Sequence, residues 1–231
     1  MSATNVAIDA EDVARRFDTT WVLRGINLRL DAGEVVGLLG ANGTGKSTLL
    51  RIVATLLRPH AGRVTVFGHD IVGAADEVRS VVGYMAHAPG LYGDLTAREN
   101  LRFAASMLDR DAREADDALA RVGLTVAANE TVRTFSSGMQ RRLAIARLLL
   151  GRPRLLLLDE PYSNLDTDGI ALMNSVIEER VAEGAAALVV VHELGPAAPV
   201  LDRTETLVDG RIVDPGTSDE NTVISLVAND R

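Results

Sequence analysis

Apolar and polar residues alternate through Ile26, Leu28 and Leu30, the period of a strand with one buried face. The turn Asp31-Ala32-Gly33 separates them from an uninterrupted apolar run, Val35 to Leu39. The pattern predicts an antiparallel opening and then a strand covered on both faces. That strand runs into a glycine-rich loop, after which Lys46 to Leu57 keeps helical spacing up to Pro59. Gly62 to Phe67 and Val81 to Met85 read as strands, and Ala86 to Asp94, with Pro89, Gly90 and Gly93, as an irregular boundary loop. Thr96-Ala97-Arg98-Glu99 has the spacing of a capping box and so opens a helix. Asp111 to Val122 is a second helix closed by Gly123, and Met139 to Leu150 a third closed by Gly151. Strands return at Leu155 to Leu158 and Ala187 to Val191, and Arg203 to Val208, Asp209-Gly210 and Arg211 to Val213 form a closing hairpin. A polar stretch, Ser218 to Asn221, lies near the end. A helical block of about 60 residues therefore interrupts a strand-helix alternation. The expected fold is α/β: a core of 1–87 and 151–231 with an N-terminal antiparallel β region, and an inserted α-helical subdomain at 88–150.

Composition narrows the function classes. The chain has 231 residues, 47% of them hydrophobic, enough for one substantial core. No apolar run approaches the ~18 residues of a membrane span, and the N-terminal stretch has acidic residues and no secretory h-region. With no cysteine, these features predict a cytoplasmic protein. A net charge of −8 disfavours nucleic acid, whose phosphate backbone needs a basic face. Only Lys46 among the 24 basic residues is lysine, so that one position demands an ammonium group.

Chemistry concentrates at strand ends. Gly40-Ala-Asn-Gly-Thr-Gly-Lys-Ser47 fits G-x-x-x-x-G-K-[ST] between a buried strand and a helix, the setting a phosphate-binding loop requires. Gly40, Gly43 and Gly45 let backbone N–H groups converge on phosphate, Lys46 reaches its outer oxygens, and Ser47 suits Mg²⁺. A glycine-rich turn with a surface lysine is the alternative. Asp159 and Glu160 end the buried strand Leu155 to Leu158, where Asp159 suits Mg²⁺ and Glu160 the activation of water. The alternative there is a capped strand turning into Pro161. Ser136 or Ser137 can cap the helix at Met139 and leave a second anion-ready N-terminus, serving a nucleotide on another subunit. His192 follows an apolar strand and reaches the same sheet edge, though a structural histidine is equally compatible with that position.

Five ordered segments, Gly40 to Thr48, Phe135 to Met139, Arg154 to Pro161, Ser163-Asn-Leu-Asp166 and His192, together resemble an ATP-binding-cassette (ABC) ATPase domain over nearly the whole chain. The resemblance implies a P-loop NTPase core of RecA-like type, ATP and Mg²⁺ as ligands, and hydrolysis coupled to transport. It also implies a dimer with a second ATPase subunit, docked on integral membrane permease subunits at the inner face of the cell membrane. Carried over residue by residue, Phe17 stacks on adenine, a core aromatic being the alternative, and Gly40, Asn42, Gly43, Gly45, Lys46, Ser47 and Thr48 hold phosphates. Ser136, Gly138 and Asp166 face the other subunit's nucleotide, Ser47 and Asp159 hold metal, and Glu160 and His192 act in hydrolysis. Two departures stand out. The family's usual glutamine at the core-to-helical boundary is His87, a further catalytic candidate, and the usual Leu-Ser-Gly-Gly-Gln signature has Ser137 and Met139.

Within that family, His87-Ala-Pro-Gly90 and Asp159-Glu-Pro-Tyr-Ser-Asn-Leu-Asp-Thr-Asp-Gly169 are similar to the ATPase of the cytochrome c maturation haem exporter. An ATPase of another exporter is the alternative. A soluble ABC ATPase acting on DNA or ribosomes would carry tandem cassettes, a coiled-coil insertion or basic extensions, and none is visible in the sequence.

Overall fold

A computed structural model describes residues 6–213, and the stretch Ser218 to Asn221 lies outside them. The strand β1, Val6–Phe17, pairs antiparallel with β2, Thr20–Asp31. The apolar β3, Val35–Leu39, leads into α1, Lys46–Val53. Next come β4, Ala61–Val66, β5, His69–Asp70, α2, Ala75–Val81, and β6, Val82–Met85. Three helices follow: α3, Ala97–Met107, α4, Arg113–Arg121, and α5, Ser137–Leu150. The chain closes with β7, Leu155–Asp159, α6, Thr167–Ala182, β8, Ala186–Val190, β9, Arg203–Val208, and β10, Arg211–Val213.

Two sheets result. One is antiparallel, in the order β2-β1-β4-β5; the other runs β10-β9-β3-β8-β7-β6 and is parallel except at β10. The expected antiparallel opening exists, but β2 and β3 are not its two strands. The turn at Asp31 passes from one sheet to the other, because all of Val35 to Leu38 is buried and an entirely apolar strand needs cover on both faces. β7 shows the same rule: Leu156 and Leu158 enter the core shared with α3, α5 and α6, while Leu155 and Leu157 enter the core shared with α1 and the antiparallel sheet.

The capping box forms: Thr96 Oγ1 accepts from Glu99 N at 3.2 Å, and Thr96 N donates to Glu99 Oε2 at 2.8 Å. α1 is shorter than its spacing suggests, ending at Val53 with Thr55 at φ 62°. Pro59 disfavours helical backbone at Arg58, and the chain must turn there to reach β4. Val81 belongs to α2 rather than to the following strand.

Leu157 is fully buried between these layers. Leu157→Ala should lower unfolding free energy by about 3 kcal/mol, as truncations of buried leucine do. Urea denaturation measures this, and a loss below about 1 kcal/mol would mean that the layers can collapse onto the gap.

Candidate functional site

Parallel strands bring their C-terminal ends to one edge, where α/β sheets bind ligands. β3 delivers the glycine-rich loop, in which Gly40, Gly43 and Gly45 have φ of 143°, 80° and 111°. A Cβ on Gly40 would lie 2.3 Å from the Leu207 carbonyl oxygen, and one on Gly45 would lie 2.7 Å from Leu23 Cδ2. Only glycine fits the curl at these two points. Lys46 is 5% exposed, and its ammonium donates to the Gly40 and Ala41 carbonyls at 2.5 and 2.8 Å. Burial pulls its pKa below the usual lysine value, while Glu160 and Asp159 oppose the shift. Asn42 is exposed and Thr48 half-buried on the same loop and helix start.

β7 supplies the carboxylates. Asp159 is 1% exposed and accepts from Ser47 Oγ at 3.1 Å, bringing two hard oxygen donors together beside the loop. Glu160 follows at φ 52°, a left-handed conformation costly for a residue with a side chain, and its N–H donates to Val190 O at 3.2 Å. Both of its oxygens are engaged: Oε1 lies 2.5 Å from His192 Nε2 and Oε2 lies 3.0 Å from His87 Nδ1. Burial raises the Glu160 pKa. The His192 hydrogen bond and the charges of His192, His87 and Lys46 outweigh burial and hold the carboxyl below the ordinary glutamate range. The group is therefore an ionised carboxylate fixed in one orientation, as a base for water must be.

Other predicted residues lie around this edge. Phe17, at the end of β1, is 42% exposed with the Arg15 guanidinium 4.9 Å from its ring centre, so it is not a core aromatic. Ser136 is the N-cap of α5 and accepts from Met139 N at 3.2 Å. A Cβ on Gly138 would meet Asn164 O at 3.1 Å, so the signature segment packs on the loop after β7 in the same chain. Asn164 has φ 63°, which asparagine tolerates better than alanine and which accounts for its presence there. Asp166 caps α6 through Gly169 N at 2.8 Å and takes a hydrogen bond from Arg142 at 2.6 Å. Among the described residues, no hydrogen bond joins Ser136, Gly138 or Asp166 to Gly40–Thr48. Arg141, which the sequence does not single out, is 2% exposed at the centre of this arrangement.

The family model for ABC transporters matches residues 23–163. This chain belongs to the ABC transporter family. It is 37% identical to a daunorubicin resistance ATP-binding protein of Streptomyces coeruleorubidus, over 94% of this chain and 70% of that one. It is 41% identical to a cytochrome c biogenesis ATP-binding export protein of Xanthomonas axonopodis pv. citri, over 86% of this chain and 92% of that one. A solved dimeric ATP-binding cassette in a post-hydrolysis state, bound to ADP and Pi, superposes with a TM-score of 0.82 at 26% identity, covering 90% of this chain and 97% of the other. The cassette is thus the ATP-binding subunit of a transporter, an ATPase coupled to transmembrane transport. Among the described residues no helix is long and apolar enough to cross a membrane; ATPase subunits of this family work with membrane permease components.

Gly40→Ala would push a methyl group into the Leu207 carbonyl. The chain should lose about 1–3 kcal/mol of stability, as expected for a forced backbone strain, together with ATP binding. Thermal melting with and without nucleotide reads both losses, and an ATP-induced rise in Tm equal to that of the parent would show that the loop can re-form around alanine.

Proposed function

We propose that this cassette hydrolyses MgATP as a head-to-tail dimer in a haem exporter of cytochrome c biogenesis, docked through permease subunits on the inner face of the cell membrane. The observation that carries the hydrolytic part is the Glu160 carboxylate, ionised and held by a histidine at each oxygen.

Lys46 and the loop bind the phosphate chain. The ammonium exchanges the Gly40 and Ala41 carbonyls for phosphate oxygens, and the N–H groups at the start of α1 point the same way. Ser47 and Asp159 fit Mg²⁺, which is held in such sites by one or two protein oxygens with phosphate and water completing the shell. Among the described residues no cluster of three or more His, Cys, Asp or Glu could hold an ion alone, in keeping with a metal that arrives with its nucleotide. When bound, Mg²⁺ neutralises developing phosphate charge. His192 holds Oε1 and His87 one side of Oε2, while the other lone pair of Oε2, met only by Ser163 Oγ at 3.5 Å, receives the proton of the attacking water. Phe17 offers its exposed ring to adenine. The N-terminus of α5 at Ser136 and Gly138, with Asp166, completes the site of the second subunit.

The haem assignment rests on His87-Ala-Pro-Gly90 and the 41% identity to the cytochrome c biogenesis relative. The 37% identity over 94% of the chain to the daunorubicin resistance relative supports a drug-exporting ATPase as the second reading. Affinity purification of the tagged chain from its own membranes, with mass spectrometry of the co-purifying membrane proteins, separates the two. Cytochrome c maturation subunits support the first reading, and a drug permease overturns it.

Glu160→Gln keeps the size and loses the base. Turnover should fall by about 10² or more, the usual contribution of a positioned proton acceptor. The variant should also accumulate as an ATP-bound dimer in gel filtration. Turnover near that of the parent would remove Glu160 from the base role.

A further inference from the structure

The side chain of Arg141 is among the largest fully buried ones in the chain, and it has no carboxylate within ion-pair distance among the described residues. Its partners are three backbone carbonyls from two loops. Nη1 donates to Ala86 O at 3.1 Å, Nη2 to His87 O at 2.9 Å and Nε to Ser163 O at 3.3 Å. A buried cation is costly unless it is hydrogen-bonded, so the fork keeps its position only while both loops stay in place.

Two of the residues held in this way touch the same atom. His87 Nδ1 lies 3.0 Å from Glu160 Oε2, and Ser163 Oγ lies 3.5 Å from it, at the long limit of a hydrogen bond. They approach from opposite sides in sequence, one after β6 and one after β7, and no backbone hydrogen bond joins their loops directly. Arg141 is their common anchor. It also stands on α5, whose N-cap is Ser136, so the surroundings of Oε2 are fixed relative to a rigid helix and not only to their own strands.

We propose that Arg141 is a positioning residue for hydrolysis: its guanidinium holds the His87 and Ser163 backbones so that their side chains fix the Oε2 side of Glu160. This rests on the reading of Glu160 as the base. The planar fork matters more than the charge, because an ammonium cannot reach two loops in fixed geometry. Arg141 donates to the Ala86, His87 and Ser163 carbonyls and acts on the carboxylate through them, so its effect should fall on kcat.

The test is steady-state MgATP hydrolysis by the purified full chain. Arg141→Lys, which keeps a buried cation, should lower kcat about tenfold and leave KM within about twofold, the pattern of an interaction needed only on the way to the transition state. Arg180→Lys serves as the control for losing a guanidinium that anchors backbone, since Arg180 Nη2 donates to the Pro153 carbonyl at 3.0 Å, outside the loops that follow β6 and β7. It should lower Tm while keeping kcat within about twofold, because stability and turnover separate at distant sites. In a chain already carrying His87→Ala and Ser163→Ala, Arg141→Lys should lower kcat by less than about threefold, since residues acting through one another are non-additive. An Arg141→Lys kcat within twofold of the parent, a parallel loss of kcat and ATP affinity, or an undiminished effect in the double-variant background would each overturn the proposal. Failure of the base assignment would be seen separately, as retained turnover in Glu160→Gln.

Discussion

The register of three parallel strands is the constraint on which the nucleotide edge depends. Leu38 pairs with Val190, and Asp159 with that same Val190, so the ends of β3 and β7 are levelled against a single residue of β8. His192 then follows two residues beyond that level, and Glu160, whose N–H returns to the Val190 carbonyl, one residue beyond. A slip of one residue would invert which face each side chain enters and carry Asp159 away from Ser47. Leu155 to Leu158 fill two separate cores and are bounded by Arg154 and Asp159, so a slip in either direction would carry a charged residue into a leucine position. The geometry of this edge is in this sense a by-product of core packing.

Placed on that frame, the charges explain a chain that is acidic overall and cationic at one point. Lys46 and Arg141 are both buried, and neither is closed off in a conventional ion pair. Each is satisfied by carbonyl oxygens, and each feels the field of Glu160 and Asp159. The two differ in kind for a reason. Lysine presents a compact ammonium that can trade two loop carbonyls for phosphate oxygens without moving its stem, whereas arginine presents a fork suited to gripping several fixed acceptors. A chain with 23 arginines and one lysine has kept lysine where exchange is required.

Much of this was legible in the sequence, because the phosphate loop, the paired carboxylates and the capping box are local patterns whose residues lie next to one another. What escaped is non-local or irregular. β1 is hard to see because Asp12, at φ 49°, bulges the strand between Ala10 and Val13 and breaks its alternation among acidic residues. The separate sheets of β2 and β3 are invisible across a turn that also suits a hairpin. α6 hides behind Pro161 and Gly169, although Met173, Val176 and Ile177 bury a helical stripe. Arg141 could not be found at all from residue types, since every acceptor it uses is a backbone carbonyl that any sequence would supply. The contact of His87 with Glu160 joins two loops 73 positions apart, and only the parallel pairing of β6 with β7 brings them together.

The same segment ties the Glu160 carboxylate to α5. Residues 86 to 90 leave the sheet edge and pass toward the exposed aromatic pair Tyr92 and Phe103, whose rings meet edge to face at 5.3 Å. Both ends of that segment are tied to α5. Arg141 takes Ala86 and His87, and Arg147 donates to Pro89 O at 2.8 Å and Gly90 O at 2.5 Å. The two arginines are six residues apart on one helix, so a displacement of the segment must either carry α5 with it or break several charge-assisted hydrogen bonds. In the first case the movement reaches Ser136 and Gly138 at the start of the helix. In the second it reaches Glu160 through His87. Either way, on the proposed reading of Glu160 as the base, His87 is the residue through which a displacement of this segment would reach the carboxylate.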